Sequence, residues 1–166
     1  MRSRLWSEMT QARYSVEYVG LYADIQRQWL RYFNIGMLVF STGGVMGWKV
    51  WDTVPVISCA IIAGVSLLRL IQPHLIVTDK MLNQLDRTKS FYTAYYNDLE
   101  KLWFDYEAGR VTEEQALKAF YKIKDGEKEI GSQISEALRS EPKSVVNKAK
   151  KLCDDFFKQA FNTQAR

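Results

Sequence analysis

Two stretches without a charged residue, Tyr32 to Trp48 and Val54 to Leu68, lie close together in the first half of the chain, and the turn between them is no longer than Trp48–Thr53. A helix needs roughly 20 mainly apolar residues to cross the hydrocarbon core of a bilayer. The first stretch reaches that length when Trp48 and Trp51 count as interfacial anchors. The second continues past a single arginine, Arg69, to Val77. A soluble helix normally presents a polar face within every two turns, and Ile35 to Trp48 presents none. The expectation is a tight transmembrane hairpin over residues 32–77. Two core helices of a soluble bundle are the competing reading.

Charge placement orients such a hairpin. Residues 77–166 hold sixteen Lys and Arg against fifteen Asp and Glu, and residues 1–31 hold five against three. This balance gives no nucleic-acid footprint, which would be a basic cluster on one face or helix. The basic residues near the membrane ends are Arg27 and Arg31 before the first stretch, then Arg69, Lys80, Arg87 and Lys89 after the second, whereas Lys49 and Asp52 cancel within the turn. The positive-inside bias therefore places both termini in the cytoplasm. The apolar run begins too late for a signal peptide and is followed by no small-residue cleavage site. Cys59 and Cys153 have neither CxxC nor metal-ligand spacing, and read as ordinary thiols of a reducing compartment.

The flanking segments read as helices. In the N-terminal arm, 1–31, the residues Leu5, Met9, Ala12, Val16, Val19, Ala23, Gln26 and Leu30 follow one another at alternating steps of 4 and 3. Met81, Leu85, Thr88, Tyr92, Tyr95, Leu99, Leu102 and Tyr106 repeat the same steps after the second stretch. That seven-residue period is the seam of a left-handed coiled coil. Two arms of equal period and length are expected to pair antiparallel, with pairing to another copy of the chain left open. Met81, Leu85, Tyr92 and Leu99 are the candidate oligomer seam. Gly109 marks the end of the long helix, and Thr112 with Gln115 forms a capping-box signature for the next. That helix places Ala116, Phe120, Ile123, Ile130, Ile134 and Leu138 on one face. Ser140 and Pro142 mark a break. A last helix, Lys143 to Phe161, places Val145, Ala149, Leu152, Phe156 and Ala160 on one face. The expected class is all-α: a transmembrane hairpin extended by long cytoplasmic helices, with two shorter C-terminal helices completing a cytoplasmic bundle over 78–166.

Catalytic parts are missing from the sequence. There is one histidine, His74, and no GxSxG, phosphate-cradling glycine loop or HExxH. The chain is read as a non-enzyme without cofactor or metal. Polar groups at membrane depth carry more information, because they are costly in lipid and tend to face a bundle interior or a wet path. Ser58, Ser66 and Arg69 are such groups. Gly36, Gly43 and Gly47 offer small surfaces that let helices approach closely, and Gly43 to Gly47 matches GxxxG. These six residues are the candidate pore-lining or helix-packing set. Pro73 predicts a kink at the exit of the second span.

An arm helix ending in Arg27–Arg31, two spans with a very short turn, a long Tyr-rich helix through Thr88–Tyr106 and the run Val111–Tyr121 beginning Val-Thr-Glu-Glu-Gln together resemble the SLATT family. Arg69 and Pro73 depart from that layout. The resemblance implies a bacterial two-transmembrane effector of anti-phage and nucleotide-signalling conflict systems, sited in the inner membrane. It also implies that copies assemble and breach the bilayer when a separate sensor or nucleotide-signalling protein triggers them. Two alternatives stand beside it: a membrane-anchored helical scaffold that recruits a cytoplasmic partner, and an accessory subunit of a channel or transporter.

Overall fold

The computed structural model describes residues 1–46, 63, 64, 66, 67, 70, 78–137 and 142–162, and every regular element among them is an α-helix. The helices are α1 (Arg2–Met46), α2 (Asp79–Glu107), α3 (Glu113–Ala137) and α4 (Lys143–Asn162). The expected class is therefore all-α as read. The inter-span turn, most of the second stretch and the kink expected at Pro73 lie outside the described residues. Among the described residues no helix is long and apolar enough to cross a membrane.

The chain divides into two compact units, Met1–Ala23 with Asn83–Arg166, and Asp24–Leu82. In the first, the two seven-residue stripes meet. Leu5, Met9, Ala12, Val16, Val19 and Ala23 of α1 are all buried, as are Leu85, Thr88, Tyr92, Tyr95, Leu99 and Leu102 of α2. Opposed residues give the direction and register. Arg2 forks onto Glu107, with Nη2 to Oε2 at 2.7 Å. The rings of Trp6 and Trp103 lie 5.4 Å apart, and the Arg13 guanidinium stands 5.8 Å from the Tyr96 ring centre. A Cβ at Gly20 would come within 3.1 Å of Lys89 Nζ. The two numbers in each pair add to the same total, so α1 and α2 run antiparallel in one register over this whole length.

Local chemistry sets the helix ends. At Gly109, φ is +66°, a left-handed conformation that suits a residue without Cβ. The Gly109 N–H donates to the Tyr106 carbonyl at 3.1 Å and the Arg110 N–H to the Asp105 carbonyl at 2.9 Å. This is the Schellman pattern. Here an ion pair, Arg110 to Asp105 at 3.0 Å, stands where an apolar contact is common. Three residues on, Gln115 Oε1 accepts from the Thr112 N–H at 3.0 Å and the Thr112 hydroxyl accepts from the Gln115 N–H at 3.3 Å. The capping box is thus formed as read. At α4, Pro142 supplies the first carbonyl, accepting from Val145 and Val146.

The shorter helices close the core. Ala116 and Phe120 of α3 are buried with the α1–α2 seam, and Ile123 packs beside them. On α4 the buried face is Val145, Ala149 and Cys153. Leu152, expected on that face, is 39% exposed, and Cys153 takes its place. Steps of 4 from Val145 through Ala149 lead to Cys153, so the face drifts around the helix where the expected spacing of 4 and 3 would have held it straight. Arg13 joins α4 to α1: its guanidinium lies 3.9 Å from the Phe156 ring centre and Nη2 donates to Glu17 at 2.6 Å.

Candidate functional site

The clearest candidate is a face of α1 within the second unit. Its covered side continues the seam: Gln26, Leu30, Phe33 and Met37 are half-buried and keep the steps of 4 and 3. The opposite side changes character along the helix. Its exposed residues are first mainly polar, Asp24, Arg27, Gln28 and Arg31 with Ile25 among them, and later mainly apolar, Ile35, Leu38 and Val39 with Asn34 among them. Trp29 and Tyr32, 65% and 68% exposed, stand at the border. Leu67 and Leu70, from the second stretch, are exposed as well. Nothing lies within 4 Å of where a Cβ would stand on Gly36 or Gly64. Large apolar side chains facing outward in a group mark a protein or membrane contact, since each left in water forgoes roughly 1.5–3 kcal/mol of burial.

The residues named from sequence fall in different places. Gly36 and Ser66 belong to this unit, and both are helical, Ser66 exposed. Gly43 lies in the last turn and a half of α1. Gly47, Trp48, Trp51, Ser58 and Arg69 lie outside the described residues. Met81 is half-buried at the start of α2. Leu85, Tyr92 and Leu99 are at most 8% exposed, packed in the seam with α1 of the same chain. These three side chains are thus engaged within one molecule and present no free surface to a second copy.

A polar cluster inside the bundle was not foreseen. Glu8 accepts from the Tyr95 hydroxyl at 2.9 Å through one oxygen and from Lys124 Nζ at 2.8 Å through the other. It therefore ties α3 and α2 to α1. The Tyr92 hydroxyl lies 3.5 Å from Glu127, and Tyr96 donates to Glu100 at 2.7 Å. Burial first, and the neighbouring carboxylates second, raise all three phenols, Tyr92 up to about 12 and the others further. Phenols held protonated at every ordinary pH act as fixed donors here, not as acids. The Tyr96–Glu100 pair lies within α2 at a spacing of four and was readable locally, whereas Tyr92 and Tyr95 meet acids of α3 and α1, which becomes readable only once the register is known. Among the described residues no group of His, Cys, Asp and Glu is placed to hold a metal ion.

No protein-family model matches the chain, and no curated protein or solved structure matches it either.

Proposed function

We propose that the chain is an oligomeric membrane effector whose segment 32–77 enters a bilayer as a hairpin, several copies together breaching it. The observation that carries this reading is the change along the exposed side of α1, from Asp24, Arg27 and Arg31 to Ile35, Leu38 and Val39. Lipid suits that face better than a protein partner because of the order of residues along it. Two arginines come first, Trp29 and Tyr32 stand at the border, and uncharged apolar side chains follow, the order of an interfacial belt at a cytoplasmic surface. Two spans enclose no channel, so a breach requires several hairpins. The open surface at Gly36, with Gly43 one helical face further on, leaves room for close helix contact. The SLATT-like layout adds the setting: the inner membrane of a bacterium under phage attack, both termini cytoplasmic, and a trigger supplied by a separate sensor.

The test is release of a self-quenched dye from vesicles reconstituted with the purified chain. Release should rise steeply with protein-to-lipid ratio, and Gly43→Leu should reduce it severalfold by holding helices apart. A protein that never enters vesicles sinks the reading. Entry with the dye fully retained, across all loadings, replaces the effector by a membrane-anchored scaffold.

A further inference from the structure

We infer that the exposed face of α4 is a docking surface for anionic lipid headgroups. Its first nine residues, Lys143 to Lys151, contain four lysines and no acid. All four, Lys143, Lys148, Lys150 and Lys151, are exposed. Over its whole length α4 holds five lysines against two aspartates, a surplus of three in a chain whose net charge is +4. The positive surplus of the molecule is thus concentrated on one short helix.

What distinguishes these lysines is their density, four within nine residues, because single cations elsewhere, such as Lys101 and Lys122, also stand without a carboxylate among the described residues. Arg2, Arg13, Arg27, Arg110, Lys118 and Lys124 each pair with a carboxylate. Among the described residues none of the four α4 lysines does, although Asp154 and Asp155 stand one turn from Lys150 and Lys151. Their position also runs against helix electrostatics. The first turns of α2 and α3 carry acids, as the positive end of a helix dipole favours, whereas that of α4 carries none and opens on Lys143. Lys143 stands in that first turn and Lys148, Lys150 and Lys151 follow in the next two, so four ammonium groups without a carboxylate partner make one site of positive potential.

The occupant follows from the extent of the patch and from its surroundings. Asp154 and Asp155 end it after about two turns, too short a track for a nucleic-acid backbone but enough for several separate headgroups. Leu152, 39% exposed beside Lys148 and Lys151, offers an apolar side chain to the interface, and lysine stems bury while their ammonium groups reach phosphate. The choice of lipid over other polyanions rests on the membrane reading of segment 32–77, which brings the chain to a bilayer.

The experiment uses the full chain with an environment-sensitive fluorophore on Asn147→Cys, in a Cys59→Ser background. It is mixed with phosphatidylcholine vesicles, with and without phosphatidylglycerol. The emission should shift only with the anionic lipid, and should return at about 1 M salt, where the screening length is roughly 3 Å. Replacing Lys143, Lys148, Lys150 and Lys151 by Gln should weaken the lipid titration about fivefold per lysine removed. Lys101→Gln with Lys122→Gln, on other helices, should leave it unchanged. Circular dichroism checks that the fourfold variant keeps its helices; Lys148→Gln with Lys151→Gln is the fallback if it does not. Equal shifts on both lipids, no shift on either, or a shift with duplex DNA alone would overturn the inference. Flotation with pure phosphatidylcholine reads the hairpin separately. A chain that fails to float there yet shifts on phosphatidylglycerol keeps the α4 surface and loses the anchor.

Discussion

The Cys153 thiol donates to the Thr10 carbonyl oxygen across 3.6 Å and lies buried between α4 and α1. Burial, with a smaller push from Asp154, raises its pKa from 9.0 to about 11. The thiolate is the nucleophile, so at pH 8 iodoacetamide should modify Cys153 about 100-fold more slowly in the native protein than in urea, from ionisation alone. Equal rates would mean that α4 does not dock as described. The linkage has a definite sign. A thiol that keeps its proton longer when folded adds stability that is complete below pH 9 and is lost as the pH rises from 9 to 11. Nothing in the spacing of α4 pointed to this residue. A pattern of Val, Ala, Leu and Phe at steps of 4 and 3 is apolar enough to pass for the buried face. Packing chose the neighbouring row because Ala149 and Cys153 are small enough to sit against α1, while Leu152 turns outward.

At the scale of elements, the junction between α2 and α3 holds by two local devices, the left-handed Gly109 and the Thr112–Gln115 box. Thr112→Ala should cost about 1 kcal/mol by loss of its cap, and Gly109→Ala about 1–2 kcal/mol by forcing a Cβ into a left-handed backbone. Urea denaturation followed by circular dichroism measures both, and an unchanged midpoint for either variant would contradict the geometry given. Both devices were legible beforehand because they depend on residues three or four apart. The seams were legible for a related reason: a seven-residue repeat records a partner helix without naming it. Whether that partner belonged to the same chain was not recorded, since Leu85 and Leu99 would repeat identically in either case. The lysine face of α4 escaped notice through averaging. Summed over residues 77–166 the charges nearly cancel, and only the helix boundaries show that the excess is local.

For the molecule as a whole, the three raised phenols set an alkaline limit. Tyr92, Tyr95 and Tyr96 hold their protons through burial and through Glu127, Glu8 and Glu100. Their contribution is complete below pH 10, where an unfolded tyrosine is also neutral. It is lost as the pH climbs from 10 towards 12, because unfolding then releases protons. The tyrosinate absorbance of these three, read as the part lost when each is replaced by Phe in a chain of nine tyrosines, should therefore appear together with helix loss in that window. Ionisation of these tyrosines near pH 10 with the helices intact would show that the cluster is open to solvent. The proposed hairpin rests on composition, and among the described residues no helix is long and apolar enough to cross a membrane. What the structure adds is the outward change of character at Trp29–Tyr32, a property of one side of a helix that a hydropathy average over all sides conceals.

Because Arg2 meets Glu107 across 105 positions of sequence, the start of α1 leaves the ribosome well before the helix it packs against. At about 5–20 residues per second, that interval is roughly 5–20 s. For all of it, Leu5, Met9, Val16 and Val19 show their apolar row without α2, and segment 24–82 emerges before α2 is complete. Closure of the α1–α2 seam thus waits for the synthesis of α2. Neighbouring nascent chains on one messenger, each displaying the same unfilled row, are the natural wrong partners during that delay.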